Sequence, residues 1–396
     1  MARRRAAAAA SYPSGFVMLL ALTLVLNVVG LVMVLSASSV HDLRVYHSAW
    51  YSFVHQLVYL IAGGVALTAA VKIDYHHWRR VAPLMLGGCM FLLLLVLVPG
   101  IGVRVSGSAR WLGAGPIQFQ PSELTKLALA IFCADVLCRR ARRIDDGLYA
   151  LMPVLLAFGG SGVLIMAQPD MGTTLVTATI VFAILFIGGV RLRSIFSMAA
   201  MGAFAAFVLG MIEPYRRARM LAFLHPLADK TNTGYQSVQG LVALGSGGLT
   251  GVGLGASRAK WGFLPNAHTD FIFAIIGDEL GLVGSLIVVA LFVGFGVLGI
   301  RAAVRAPDRY GALLATGITA WLIGQAVLNI GAVVGLLPVT GVPLPFVSYG
   351  GTSLVIAMAA VGILLNIARN GRPDQKPVSR RGVRTRGADG AGVASA

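Results

Sequence analysis

An aspartate at the start of a long apolar segment is the residue of this sequence whose position most strongly suggests chemistry. Asp270 ends the run Pro265-Asn-Ala-His-Thr-Asp270 and directly precedes an apolar stretch that continues to about residue 300. Acidic side chains at such positions lose part of their hydration, are rare, and usually have a function. A carboxylate can accept a proton from a reacting group. We therefore expect the rest of the chain to position a substrate against Asp270.

A second polar cluster lies at the predicted start of a helix, in Gln120-Pro-Ser-Glu-Leu-Thr-Lys126. Proline suits the first turn of a helix, so the helix is expected to begin here. Glu123 and Lys126 are three residues apart, share a helix face and can form an ion pair. The pair either stabilises the helix end or forms a charged wall of a cavity, and the sequence leaves both interpretations open.

Two further clusters lie in short connections between apolar segments. Asp170, in Gln168-Pro-Asp-Met-Gly-Thr173, can cap the next helix and can also face a site, and the two roles are compatible. The segment Pro338–Ser353 carries prolines and two consecutive glycines, with hydroxyls at Ser348, Tyr349 and Ser353. Irregular backbone at membrane depth is tolerated where it packs in protein or lines a wet cavity, and both remain possible for this segment.

The composition decides the class of protein that must hold these residues. Hydrophobic residues make up 57% of the 396 and charged residues 12%, with a mean hydropathy of +0.82, whereas soluble domains carry about 25% charged residues. The fold class predicted is an all-α polytopic membrane protein with ten transmembrane helices. The predicted spans are 16–38, 52–71, 81–99, 122–138, 148–167, 171–190, 194–212, 270–300, 311–336 and 351–368. The eighth span is too long for one straight crossing, so either Gly281 and Gly284 mark a bend or part of the helix extends beyond the membrane.

The positive residues predict the orientation and the domain limits. Lys and Arg of the short segments concentrate on the side of the N-terminus, which predicts that both termini are cytoplasmic. We expect a cytoplasmic segment over 1–15, a membrane domain over 16–370, and a disordered basic cytoplasmic tail over 371–396. All four polar clusters then fall on the outer side.

A large extracytoplasmic loop, 213–269, is predicted between the seventh and eighth helices. It is cationic, which indicates either an anionic partner or contact with lipid headgroups. Residues 234–245 have apolar positions at near-helical spacing and predict an amphipathic surface helix. The glycine-rich stretch that follows favours close approach of the backbone to a ligand over a flexible linker.

Several function classes are disfavoured by what the sequence lacks. The histidines show no metal-binding spacing, and no phosphate-binding loop of the ATPase type is present. Cys89, Cys133 and Cys138 fall in apolar spans and are expected to be buried thiols. The net charge of +17 lies in loops and the tail, so we expect no nucleic-acid partner.

The clusters resemble the motifs of the SEDS family of shape, elongation, division and sporulation proteins (FtsW, RodA, SpoVE). The matching stretches are Gln120–Lys126, Gln168–Thr173, Phe263–Ala274 and Pro345–Ser353, in that order, within about residues 16 to 370. Asn266 and Asp278 depart from the pattern, because the family often has Glu at each. Features outside these motifs are more similar to the division type (FtsW) than to the elongation type.

The resemblance implies a peptidoglycan glycosyltransferase. Such enzymes polymerise lipid II, the undecaprenyl-diphosphate-linked disaccharide-pentapeptide, on the outer face of the cytoplasmic membrane. Asp270 is then the expected general base for the acceptor hydroxyl. The expected diphosphate-binding residues are basic side chains of the outer loop: Lys260, Arg258, Arg216, Arg217 and His268. The expected cavity residues are the other polar members of the clusters: Glu123, Lys126, Asp170, Ser348, Tyr349 and Ser353.

The resemblance also implies the surroundings of the enzyme. A divalent cation, Mg²⁺ or Mn²⁺, is a further candidate for the diphosphate, with Asp270 as a candidate ligand, and no organic cofactor is expected. The expected partners are a class B penicillin-binding protein, which crosslinks the product, and other membrane proteins of the divisome. The expected location is the bacterial cytoplasmic membrane at the division septum. The competing hypotheses are a lipid II flippase, an elongation-type polymerase and a scaffold that recruits the synthase.

Overall fold

A computed structural model describes residues 13–105, 108–114, 117–143, 147–212, 223 and 234–371. The described chain is mostly helical. The α-helices are α1 (Ser14–Tyr46), α2 (Tyr51–Lys72), α3 (Tyr75–Leu97), α4 (Pro121–Arg139), α5 (Gly147–Ala167), α6 (Met171–Ile187), α7 (Leu192–Ile212), α8 (Tyr235–Ser246), α9 (Ile272–Val304), α10 (Arg309–Val333) and α11 (Gly351–Asn370). Short 3₁₀ turns lie at Ala141–Arg143 and Ala259–Trp261.

The helix lengths and composition are those of a membrane protein. Six helices in the described ranges are long and apolar enough to cross a bilayer: α1, α2, α3, α9, α10 and α11. Shorter apolar stretches lie at Leu151–Ala167, Met171–Ile187 and Leu192–Phe204. Together with α4, these helices account for all ten predicted spans. That all ten cross the membrane, and in which direction, stays a prediction.

Helix α4 is the span whose composition is least apolar, because it carries Glu123, Lys126, Asp135 and Arg139. Its residues from Leu127 to Ile131 are nonetheless almost completely buried. Helices α3, α5, α6 and α10 all pack against it, so protein rather than lipid surrounds most of it. Charged groups in such a helix can be satisfied by neighbouring helices.

Small residues allow the helices to approach closely, as is usual for helix packing in membranes. The most extensive packing is between α2 and α11. At Gly362 of α11, a Cβ atom would lie 2.5 Å from the carbonyl oxygen of Leu67 in α2. Only glycine permits that approach.

The connection between α3 and α4 departs from the all-α prediction. It forms a small antiparallel sheet of three strands, β1 (Val103–Val105), β2 (Ser108–Ala114) and β3 (Ile117–Phe119), in the order β1-β2-β3. The strands are too short to give a clear alternating pattern, which is why the sequence did not predict them. The sheet contacts α3, α4 and α11, so it is held against the ends of these helices.

Helix α9 is interrupted at Gly281, so the bend, one of the two alternatives for this long span, is present. Gly281 has φ 67° and ψ −165°. The glycine-rich segment after α8 packs against the interruption: the amides of Val252 and Gly253 donate to the carbonyls of Asp278 (2.9 Å) and Glu279 (3.1 Å). This segment is therefore an ordered part of the fold, and the amphipathic helix predicted before it is α8.

The predicted segment 1–15 lies mostly outside the described residues, and so does the predicted tail 371–396. The predicted outer loop is described at residue 223 and from 234 onward.

Candidate active site

A cavity of about 280 Å³ brings together five of the predicted site residues: Glu123, Asp170, Asp270, Tyr349 and Ser353. Its walls come from β2, the starts of α4 and α6, the segment before α9 and the connection from α10 to α11. These elements are distant in sequence and meet at one end of the helix bundle. The four polar clusters of the sequence thus contribute to a single cavity.

Asp270 is positioned by its own segment and by α10. Thr269 Oγ1 donates to Asp270 Oδ1 at 3.0 Å. Asn329 of α10 donates through Nδ2 to the backbone oxygens of Asp270 and Val342, at 2.8 Å each, and so links the two connections that flank the carboxylate. Gly341 has φ 69°, and a Cβ atom there would lie 3.8 Å from Asp270 Oδ2. Glycine meets that backbone requirement beside the carboxylate.

Glu123 and Lys126 form the predicted ion pair. Lys126 Nζ lies 2.8 Å and 2.9 Å from the two carboxylate oxygens. Lys126 is completely buried, donates to Gln325 Oε1 at 2.8 Å, and lies 5.0 Å from the ring centre of Trp321. Glu123 therefore lines the cavity, and the buried ammonium group of Lys126 compensates its charge. Lys126 itself does not line the cavity.

Asp170 both caps α6 and lines the cavity. Its carboxylate accepts hydrogen bonds from the amide and hydroxyl of Thr173, at 3.0 Å and 2.9 Å. Gln120 Nε2 donates to it at 3.4 Å, and Arg110 Nη1 lies 3.9 Å away. The predicted capping role is confirmed.

The segment Pro338–Ser353 contributes Tyr349, before α11, and Ser353, in its first turn, to the cavity but not Ser348. Ser348 is buried, and its hydroxyl accepts a hydrogen bond from the amide of Leu344 at 2.8 Å, which closes a tight turn. The sequence left open whether this segment packs in the protein or lines a cavity, and it does both: Ser348 is packed, whereas Tyr349 and Ser353 line the cavity.

His268 lies behind Tyr349. Its carbonyl accepts the Tyr349 amide at 2.9 Å, and its ring lies 5.7 Å from the Tyr349 ring and 5.5 Å from His41. Burial, with a smaller contribution from His41, lowers the pKa of His268 to about 4. The imidazole is therefore neutral near pH 7 in this arrangement.

Lys260 lies outside this cavity. It is buried, and its Nζ atom lies 3.3 Å from Glu279 Oε1 and 3.3 Å from Ser36 Oγ and also donates to the carbonyl of Gly255. Ser36 of α1 donates to the same carboxylate at 2.7 Å. Lys260 therefore ties the glycine-rich segment to α1 and α9.

Arg258 is exposed and lines a second cavity, of about 550 Å³, together with Ser246, Phe263 and Asp278. Its position separates it from the cavity of Asp270. Arg216 and Arg217 lie outside the described residues. Diphosphate binding by these residues stays a prediction.

Three residues of the site had no role in the sequence-based predictions. Arg110 lies in the unpredicted strand β2, and Asn329 and Gln325 lie on the predicted ninth span without any motif around them. Their sequence context could have indicated that Asn329 and Gln325 face other helices, because uncharged polar side chains within an apolar span tend to do so.

Comparisons with known proteins show the family of the chain. The family model described as "Cell cycle protein" (FtsW, RodA, SpoVE) matches residues 17–373. The chain belongs to this family. The sequence-based resemblance is thereby confirmed, and all four motifs that carried it lie within the matched range.

Relatives from several bacteria match this chain over most of its length. "Probable peptidoglycan glycosyltransferase FtsW" of Geobacter metallireducens is 41% identical over 350 residues, which covers 88% of this chain and 93% of the relative. "Stage V sporulation protein E" of Bacillus subtilis is 39% identical over 355 residues, covering 90% and 97%.

Solved structures share the fold. One, described as "Structural coordination of polymerization and crosslinking by a peptidoglycan synthase complex", contains a chain with a TM-score of 0.76 and 27% identity, covering 92% of this chain and all of that one. Rod shape determining protein RodA of Thermus thermophilus gives a TM-score of 0.67 at 28% identity, covering 92% and 99%.

Proposed function

We propose that the chain is a peptidoglycan glycosyltransferase that polymerises lipid II into glycan strands. The observation that carries the proposal is the cavity in which Asp270, Glu123 and Asp170 meet, in a member of the FtsW/RodA/SpoVE family. Relatives at about 40% identity that are named as probable peptidoglycan glycosyltransferases support the same activity.

Asp270 acts as the general base in this proposal. It takes the proton of the acceptor sugar's 4-hydroxyl as that oxygen bonds to the anomeric carbon of the donor. The bond from the anomeric carbon to the diphosphate oxygen breaks, and the lipid diphosphate leaves with the electron pair. A single displacement inverts an α-linked donor into a β-linked chain. Thr269 and Asn329 hold the base in place through side chain and backbone.

Glu123 and Asp170 shape the cavity rather than share the base role. Glu123 is paired with Lys126, and Asp170 caps α6 and lies near Arg110. Glu123 is therefore held by a lysine behind the cavity wall, and Asp170 is held by Thr173 and Arg110, which line the cavity with it. A hydroxyl-rich substrate can be oriented by such fixed acceptors.

A divalent cation is a further part of the proposal that needs its own test. The described residues contain no group of three or more His, Cys, Asp or Glu able to hold a metal ion. Mg²⁺ commonly binds through one or two carboxylates together with substrate phosphates, so Asp270 fits a metal that arrives with the diphosphate. When bound, such an ion supplies charge neutralisation of the leaving group. The test is to measure activity with and without a chelator. Loss of activity with chelator, and its recovery when Mg²⁺ or Mn²⁺ is added, would show that a divalent cation is required.

We place the enzyme in the cytoplasmic membrane with ten spans, both termini inside, and 213–269 outside, so that the cavity opens on the outer face. The distribution of Lys and Arg supports this orientation. The names of the relatives at about 40% identity favour septal synthesis during division over elongation. A class B penicillin-binding protein is the proposed partner, supported by the similarity to a chain of a peptidoglycan synthase complex. Other membrane proteins of the divisome are proposed as further partners.

The test is polymer formation in proteoliposomes that contain the chain, the partner synthase and lipid II in both leaflets, with the label confined to one leaflet. Wild type should form glycan polymer, and Asp270→Asn should not. Asp74→Asn is a matched control, because Asp74 is half-exposed at the other end of the bundle, where Asn can still cap α3.

Other outcomes separate the competing hypotheses. Movement of lipid II between leaflets without polymer would favour the flippase and contradict the proposal. Polymer formation by the partner alone would favour the scaffold. Equal polymer yields from wild type and Asp270→Asn would remove Asp270 from the mechanism.

A further inference from the structure

The cavity of Asp270 must accommodate an anionic group if it is the polymerase site. A lipid-linked diphosphate brings negative charge into a space already lined by three carboxylates, which disfavours its binding unless a cation is present. Among the described residues that line the cavity, Arg110 is the one cationic side chain. Lys126 is buried behind Glu123 and does not line the cavity, Lys260 is buried in a separate network, and Arg258 lines a different cavity.

Arg110 is held in a fixed orientation at the cavity wall. It lies on β2, and its Nε donates to the carbonyl of Gln168 at 3.1 Å, while Nη2 donates to the carbonyl of Pro169. Nη1 lies 3.9 Å from Asp170 Oδ1. The side chain is 25% exposed, so the guanidinium is only partly covered.

The hydrogen-bonding capacity of Arg110 is not exhausted by these contacts. The two carbonyls use two of the five N–H donors that a guanidinium carries. The three remaining donors belong to Nη1 and Nη2 of a side chain that lines the cavity. A guanidinium presents such donors in a planar fork that matches phosphate oxygens.

We propose that Arg110 binds the diphosphate of the lipid-linked donor in the cavity and stabilises it as it leaves. This inference rests on the proposed function and names the anion-binding residue of that same site. As the bond from the anomeric carbon to oxygen breaks, negative charge grows on the departing diphosphate, and Arg110 is already oriented toward that charge. The small sheet of β1 to β3 then has a role, because it carries the cation to the cavity wall.

The experiment measures binding of undecaprenyl diphosphate and, separately, of the uncharged alcohol undecaprenol to the purified chain in nanodiscs. Arg110→Gln should weaken diphosphate binding about 10- to 100-fold, the range for losing hydrogen bonds to a charged group, and leave undecaprenol binding unchanged. Arg110→Lys should fall between, since it keeps the charge and loses the fork. Arg104→Gln is the matched control, because Arg104 is an exposed arginine of β1 that does not line the cavity.

Two results would overturn the inference. One is an Arg110→Gln variant that binds undecaprenyl diphosphate as well as wild type does. The other is equal loss of affinity for the diphosphate and for the alcohol, which would mean that Arg110 only supports the turn at 168–170. Lipid II polymerisation by wild type is measured in parallel. Its absence would contradict the proposed function, while the binding comparison would still decide whether Arg110 holds a diphosphate.

Discussion

The buried ion pair between Lys260 and Glu279 gives the sharpest prediction for the fold around the site. Their side chains are 4% and 0% exposed, and Nζ lies 3.3 Å from Oε1. Ser36 donates to the same carboxylate at 2.7 Å, so three segments distant in sequence meet at one buried charge pair. Glu279→Gln keeps the shape of the side chain and removes the charge that compensates Lys260.

The expected cost follows from the burial of both groups. Removing one member of a buried ion pair typically destabilises by about 3–5 kcal/mol, because the other charge is left without compensation. Lys260 keeps its acceptors on Gly255 and Ser36, so we expect the lower end, about 3 kcal/mol. Adding Lys260→Met to Glu279→Gln should recover part of that loss and give a coupling energy of at least about 1 kcal/mol.

The assay is the free energy of unfolding of the purified chain in mixed micelles, titrated with a denaturing detergent. Limited proteolysis of the glycine-rich segment 247–258 gives a local measurement on the same samples. Arg104→Gln serves as a surface control and should change the free energy of unfolding by less than about 0.5 kcal/mol. Single variants that each cost less than about 1 kcal/mol and add without coupling would refute the argument that this pair fixes the segment.

Three further predictions concern a backbone position, a helix cap and a buried histidine. Gly281→Ala should destabilise the protein by about 1–3 kcal/mol, because φ is 67° and a Cβ atom would lie 2.4 Å from the Gly251 amide nitrogen. Gly87→Ala is the control: Gly87 has open space around it in α3, so its replacement should be neutral or stabilising. Asp170→Ala should cost about 1–2 kcal/mol through the lost cap of α6, and Asp170→Asn should cost less; unfolding titrations measure both. His268 has a pKa of about 4 in the folded protein and 6.5 in the unfolded chain, so the unfolded chain binds the proton first as the pH falls. The free energy of unfolding should therefore decrease between pH 6.5 and about 4. His268→Gln should flatten that part of the pH profile.

The helices could be predicted from sequence because long apolar runs leave few alternatives. The ten predicted spans correspond to helices, with ends that differ by up to about eight residues, as in the extension of α1 to Tyr46. The bend at Gly281 and the cap at Asp170 also followed from local residue chemistry. The clustering of Glu123, Asp170 and Asp270 depended on the predicted orientation, which placed all of them at one end.

The parts that could not be predicted depend on contacts between distant segments. Strands β1 to β3 are short and stabilised by packing on the helix ends, so their sequence carries little periodic signal. Arg110 gains its position from the carbonyls of Gln168 and Pro169, which no local pattern reveals. The pairing of Lys260 with Glu279 could not be predicted either, because no local pattern shows which loop residues pack against α9.

The measurement that tests the central claim most directly separates binding from chemistry at Asp270. Single-turnover conversion of labelled lipid II is followed for wild type and Asp270→Asn, with the partner synthase present and with lipid II affinity measured on the same samples. Loss of a general base should lower the rate by about 10²–10⁴-fold while affinity changes little. An Asp270→Asn variant that turns over at the wild-type rate, or that loses rate only because it no longer binds lipid II, would contradict the assignment of Asp270 as the base.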